Sequence, residues 1–323
     1  MRKAIKCRCG ELKKAIDVYL ERADSDLEKE LDSAGFTKPK QTVKDIEALE
    51  KEIREELEED TKYIVKKTEQ YDSLGTYAMD GIPDIKNSEV LIKKLSRTFE
   101  ATFTRIIPAY AEEYIKVSDR DLKMLQMSKR TTAWIERWSD DLGKIMKLND
   151  NRVIESILSK GLRDGASIKQ VADEIANAGI RDAGYRARRV SLTEVLRAHS
   201  VAQHESGMQS PCVTGHMWRH SGAFRIEPRE NHVAMDDGTV VPINEPFTLY
   251  GADGGIYSPM YPRDSNLPPG ESINCHCFEQ HVVDEDILGL PLEERQRLQA
   301  EALAEMDEEW LKEIDEQNRL RSI

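Results

Sequence analysis

Apolar residues in the first two thirds of the chain recur three and four positions apart, the period of one buried helix face. Thr42 is placed to cap a first helix, in which Ile46, Leu49, Ile53, Leu57 and Ile64 form the stripe and acids and lysines cover the rest. A break is expected around Leu74-Gly75 and Gly81-Ile82-Pro83, after which Ser88 opens a second long pattern through Leu91, Leu95, Phe99, Phe103, Ile106 and Tyr110. Pro108 should kink it, because proline removes one backbone donor and crowds the preceding turn. A third stripe runs through Trp134, Trp138, Leu142 and Ile145, followed by shorter helices from Asn151 to Lys160 and from Ser167 to Ala178, the latter ended near Gly179. A further helix runs from Tyr185 to Ser206.

The pattern then changes. From Pro211 to Pro269 short apolar runs alternate with Gly and Pro, and Asp237-Gly238 between Met235 and Val240-Val241 reads as a hairpin turn. Gly251-Ala252-Asp253-Gly254-Gly255 has no lysine or helix start behind it and reads as a plain turn. Pro291 fits the first turn of a terminal helix with Leu303, Met306, Trp310 and Ile314 as its stripe. The predicted class is α+β: a mainly α-helical N-terminal two thirds forming an elongated bundle, a small β-containing C-terminal domain, and a terminal acidic helix. The boundaries are 1–165, a helical partner-binding region; 166–283, the β-containing domain with its leading helices; and 284–323, the acidic helix.

Composition sharpens this reading. Of 323 residues, 33% are charged and only 6% aromatic, so several amphipathic helices share a thin core and are expected to finish their burial against partners. No apolar run reaches the roughly 18 residues that span a bilayer, and no apolar stretch follows the basic residues near Met1. No membrane and a cytoplasmic site of synthesis are therefore expected. The net charge of −13 argues against nucleic acid, yet it is unevenly spread. Residues 284–323 hold thirteen acids against five bases, whereas Arg181 to Arg197 holds five arginines against Asp182 and Glu194. Arg186, Arg189 and Arg197 fall on roughly one helical face and could touch DNA phosphates; alternatively they pair with Asp182, Glu194 and other acids.

Five cysteines is an odd number, unlike a secreted disulfide framework. Cys7 and Cys9 form one C-x-C pair, Cys275 and Cys277 another, and all seven histidines lie between His199 and His281. Thiolate and imidazole are the usual zinc ligands. Cys275, Cys277 and His232 could therefore hold a structural zinc ion, with His220, His276 or His281 as the fourth ligand. The cysteines could equally form a disulfide or remain thiols, and His232 could simply bond a carbonyl and steady the Asp237-Gly238 turn. Cys212 and Ser221 are nucleophile candidates, with His216 and His220 nearby in sequence. No H-E-x-x-H, G-x-S-x-G, Walker or G-x-G-x-x-G element accompanies them. An enzyme or toxin-like module is thus the weaker alternative, and a nucleic-acid-binding module a second.

One ordered set of residues points to a family. A helix carries Arg188-Arg189-Val190-Ser191-Leu192-Thr193-Glu194; Trp218 follows, then Arg229-Glu230-Asn231-His232, Asp237-Gly238, Phe247, Tyr261-Pro262, and Asn274-Cys275-His276-Cys277. Together they resemble the phage Mu F-like head-morphogenesis domain over roughly Ser167 to Val283, with Thr193, Glu194, Trp218, Arg229, His232, Gly238, Asn274, Cys275 and Cys277 as the matching positions. The pattern departs at His276, where Arg is common, and at His199, where Asn is usual. The resemblance implies a structural, non-enzymatic protein of the tailed-phage virion, made in the host cytoplasm and placed in the head interior or at the portal vertex. It implies the portal or major capsid protein as partners, copies within a larger assembly, and, in some phages, packaged double-stranded DNA or its ejection.

Overall fold

The computed structural model describes residues 26–221 and 228–321, leaving aside the side chains of 180–182 and 321; Cys7 and Cys9 lie outside the described residues. A short helical segment, 26–33, leads into five long helices: α1 (Pro39–Thr68), α2 (Val90–Ser118), α3 (Lys129–Asp164), α4 (Ile168–Gln209) and α5 (Leu292–Arg321). Lys38, in the left-handed region at φ 51°, precedes α1. Thr42 is therefore one turn inside the helix and does not cap it. The expected break after α1 contains helical turns of its own over Leu74–Thr76, Tyr77–Gly81 and Ile82–Asn87. Pro108 sits within an otherwise continuous α2.

The apolar stripes close on one another. Ile46, Leu49, Ile53 and Leu57 of α1 meet Leu91, Leu95, Phe99 and Phe103 of α2, Trp134 and Leu142 of α3, and Val195, Leu196 and Val201 of α4 in one core. The expectation that these stripes await a partner is thus corrected: α4, long enough to run under all of them, supplies the cover. Ile145, assigned to the α3 stripe, is exposed.

Two pairs of expected helices are single ones. Asn151 to Lys160 continues α3, which ends at Gly165 in the left-handed conformation (φ 65°). The stretches on either side of Gly179 form the unbroken 42-residue α4, opened by a capping box between Ser167 and Gln170. Gly179 is a contact, not a stop: a Cβ there would lie 2.4 Å from Thr61 Oγ1 of α1. Gly143 plays the same part between α3 and α2, where a Cβ would come within 2.6 Å of Ser96 Oγ and 2.8 Å of the Ile92 carbonyl oxygen. Gly143→Ala is accordingly expected to force the helices apart and cost about 1–3 kcal/mol in urea denaturation; an unchanged midpoint would remove the close-approach argument.

Past α4 the chain forms a three-stranded antiparallel sheet in the order β2-β1-β5, from β1 (Val213–Arg219), β2 (Val241–Pro242) and β5 (Phe278–Val283). A separate ribbon pairs β3 (Leu249–Tyr250) with β4 (Ile256–Tyr257) across the Gly251–Gly255 turn. The hairpin expected at Asp237-Gly238 is absent. A short helix, Glu230–Ala234, precedes that turn, and the segment after it pairs with β1. Gly238 (φ 82°) with the Asp237 carboxylate bonded to Thr239 N turns the chain out of the helix. Pro291 stands just before α5 rather than within it. Trp310 of α5 lies against Arg130 of α3, whose guanidinium is 5.4 Å from the indole centroid, so α5 docks on its own bundle. Among the described residues no helix is long and apolar enough to cross a membrane.

Candidate functional site

Most of the motif residues converge where the sheet meets α4. Thr193 Oγ1 donates to Arg189 O at 2.9 Å and accepts from Asn274 N at 3.4 Å, tying helix to loop. Asn274 takes φ 56°, a left-handed conformation that asparagine tolerates better than most side chains. Cys275 and Cys277 follow that turn, and Cys277 leads directly into β5. Glu194 receives Trp138 Nε1 at 2.7 Å and Arg197 Nε at 2.9 Å, all largely out of water. Arg229 donates to Ile273 O at 2.7 Å, just ahead of the C-x-C pair. Trp218 is fully buried and meets the rings of His232 and Phe247 edge-on.

The sulfur and imidazole groups lie at the centre of this packing. His232 Nδ1 faces Cys275 Sγ at 3.5 Å and Cys277 Sγ at 3.6 Å, and all three side chains are buried. On its other side, His232 Nε2 donates to Glu271 Oε2 at 2.8 Å. Glu271 also accepts from Ala252 N and Asn231 Nδ2; although burial works to raise its pKa, these bonds hold the carboxyl below its ordinary value. His220, half-buried at the end of β1, brings Nδ1 to 3.7 Å from Cys277 Sγ. Of the other two histidines considered as ligands, His276 pairs with Glu30 and His281 faces Ser118 Oγ at 3.0 Å. Cys275 and Cys277 are not joined by a disulfide. A hydrogen bond from Cys277, helped by His232, holds Cys275 well below the ordinary thiol value; the same bond and burial push Cys277 up.

Two charged groups that sequence reasoning missed hold the site. Arg263 is completely buried and donates to Cys275 O at 2.8 Å, Cys277 O at 2.6 Å and Ser200 Oγ at 2.7 Å. Like Asn274 it has a left-handed backbone, at φ 65°. Farther along the sheet, buried Glu279 collects His216 Nδ1 at 2.8 Å and His204 Nδ1 at 3.3 Å, with His281 Nε2 at 3.8 Å. Burial works to raise its pKa, but His204, His216 and His281 prevail and hold it at about 2. Nothing in the sequence marks either residue, since arginine and glutamate are common throughout this chain.

The remaining candidates fall elsewhere. Cys212 bonds Ser210 Oγ and the Ser118 carbonyl rather than a histidine, and burial pushes its thiol up. Ser221 Oγ has no hydrogen-bond partner among the described residues, and His216 is engaged by Glu279 and the Glu245 carbonyl. Of the two readings of Arg186, Arg189 and Arg197, the pairing one agrees with the contacts of Arg186 and Arg197. Arg197 is buried against Glu194 and the Arg263 carbonyl, Arg186 pairs with Asp150, and Arg189 lies over the Tyr185 ring at 5.4 Å. The reason is that α4 is packed on several sides, so its inward arginines need acids to compensate their charge.

This arrangement of a T-E helix, a tryptophan strand and a closing C-x-C loop matches a family of phage head-morphogenesis proteins. The family model described as Phage Mu protein F like protein matches residues 152–279. The chain is also 40% identical over 208 residues to the uncharacterized protein YqbB of Bacillus subtilis (strain 168), covering 64% of this chain and 67% of that one. No solved structure matches. The chain belongs to the Phage Mu protein F-like family of phage head-morphogenesis proteins.

Proposed function

We propose that this protein is a minor component of a tailed-phage head, built in at or near the portal vertex through contacts with the portal or major capsid protein. The observation that carries this reading is that Thr193, Glu194, Trp218, Arg229, His232, Asn274, Cys275 and Cys277 are all spent on holding α4, the sheet and the C-x-C loop together. A motif consumed in architecture supports a role in assembly more than one in turnover.

Because the stripes of α1 and α2 are covered internally, the partner surface is to be sought on their charged outer faces, not on their apolar ones. A role with packaged DNA is the less favoured part of the proposal, since Arg186 and Arg197 are already paired with acids.

Quantitative mass spectrometry of purified heads and assembly intermediates tests the proposal. The protein is expected in both, at a small fraction of the copy number of the major capsid protein. Its consistent absence from both would refute the assignment.

A further inference from the structure

We propose that Cys275, Cys277, His232 and His220 form a structural zinc site that fastens the loop before β5 to the end of β1 and to the Glu230–Ala234 helix. The distances carry the argument. Zinc takes sulfur at about 2.3 Å and nitrogen at about 2.0–2.1 Å in a tetrahedron, which places a ligand nitrogen and a ligand sulfur about 3.6 Å apart. The three nitrogen-to-sulfur distances are 3.5, 3.6 and 3.7 Å. The ligand atoms of His232, Cys275 and Cys277 all lie within 4.8 Å of one another. His220 lies outside that group, with Nδ1 at 3.7 Å from Cys277 Sγ, and would move in from the Cys277 side as the fourth ligand.

The surroundings fit a cation better than a cluster of thiols. Glu271 at Nε2 fixes the proton of His232 on that nitrogen, so the Nδ1 lone pair points at both sulfurs. A metal ion among them satisfies the nitrogen and both sulfurs together. The charges also balance: two thiolates neutralise a divalent cation, while the buried Arg263 cation against the cysteine carbonyls offsets Glu271. The other histidine cluster lacks this arrangement. Both ring nitrogens of His216 lie at hydrogen-bond distance from oxygen acceptors, Glu279 and the Glu245 carbonyl.

The site also answers a packing deficit. Among the described residues, the apolar cluster of this region consists of Trp218, Phe247, Cys275 and Cys277, with Met235 and Val241 against it. A metal joining residues 220, 232, 275 and 277 closes long loops in the unfolded chain and supplies folding energy that this small cluster does not.

The test uses the full chain purified without chelator. Elemental analysis is expected to find about one zinc per chain, retained in a Cys7→Ser/Cys9→Ser variant and lost in Cys275→Ser/Cys277→Ser. Should the second variant fail to fold, cobalt exchanged into the unaltered protein is the alternative readout. Thiolate-to-cobalt charge transfer and tetrahedral d–d bands, changed by His220→Asn, support the site. Glu271→Gln is expected to weaken zinc about 10–100-fold in chelator competition. Metal-free protein with one melting temperature in the presence and absence of chelator overturns the proposal, as does zinc that stays in the Cys275→Ser/Cys277→Ser variant.

Discussion

Arg263→Leu is expected to lower stability by about 3–5 kcal/mol, since several buried acceptors lose their donor at about 1–3 kcal/mol each. The guanidinium is the donor for the Cys275 and Cys277 carbonyls and for Ser200, all inside the protein. Leucine fills similar volume but leaves those acceptors without partners, and each buried unsatisfied group costs about 1–3 kcal/mol. The left-handed backbone at residue 263 does not distinguish the two side chains, so the difference reads the lost hydrogen bonds. Arg263→Lys should recover only part of the loss, because a compact ammonium does not reproduce the planar fork that serves two carbonyls and a hydroxyl. Thermal and urea denaturation report both variants. A leucine variant with the parent's midpoint, or a lysine variant equal to it, would contradict the assignment.

The second large effect is on acid stability. His199 is buried, stacked on Tyr110 at 3.7 Å between ring centroids, with Thr42 Oγ1 at 2.8 Å from Nε2 and Tyr114 Oη at 3.0 Å from Nδ1. Burial, with Arg263 nearby, holds its pKa well below 6.5. Burial likewise brings His281 down to about 4, against the opposing pull of Glu279. Both groups have folded values below their unfolded ones, so the unfolded chain binds the extra protons. Their contribution is complete above about pH 6.5 and is lost as pH falls towards 4. Each neutral histidine contributes a slope of up to about 1.4 kcal/mol per pH unit there. Glu279, depressed to about 2, adds a further loss as pH falls below its ordinary value of 4.5. Unfolding free energy is therefore expected to drop by about 3 kcal/mol between pH 7 and pH 5. His199→Asn, which keeps a polar group but cannot titrate, should flatten the slope by up to one proton. Equal slopes in variant and parent would show that His199 is not held neutral.

The helical half was legible because its signal is local. Ile46, Leu49, Ile53 and Leu57 repeat at helical spacing, and they are buried together. The errors came where one residue type serves two purposes. Gly179 resembles a helix stop, yet the molecule uses its missing side chain to let α1 approach α4. Asp237-Gly238 resembles a hairpin turn, but the preceding residues are helical, and nothing in a dipeptide distinguishes the two settings. For the site, cysteine and histidine stood out by rarity, and the structure brings His232, Cys275, Cys277 and His220 together. Glu271 and Arg263 did not stand out, because their roles depend on contacts across about forty and about sixty residues of chain, to Asn231 or His232 and to Ser200.

Helix α4 has a consequence for how this protein can be divided. Its first half packs under α1 and α3, while Thr193, Glu194, Arg197 and Ser200 on its second half hold the C-x-C loop and its supporting arginine. The segment that the family model matches begins at residue 152, inside α3, and ends at 279, inside β5. That segment is therefore not a unit that can be cut out. A protease nick anywhere along α4 would release neither half intact, and a load applied to the sheet would reach the far end of the bundle through one continuous rod.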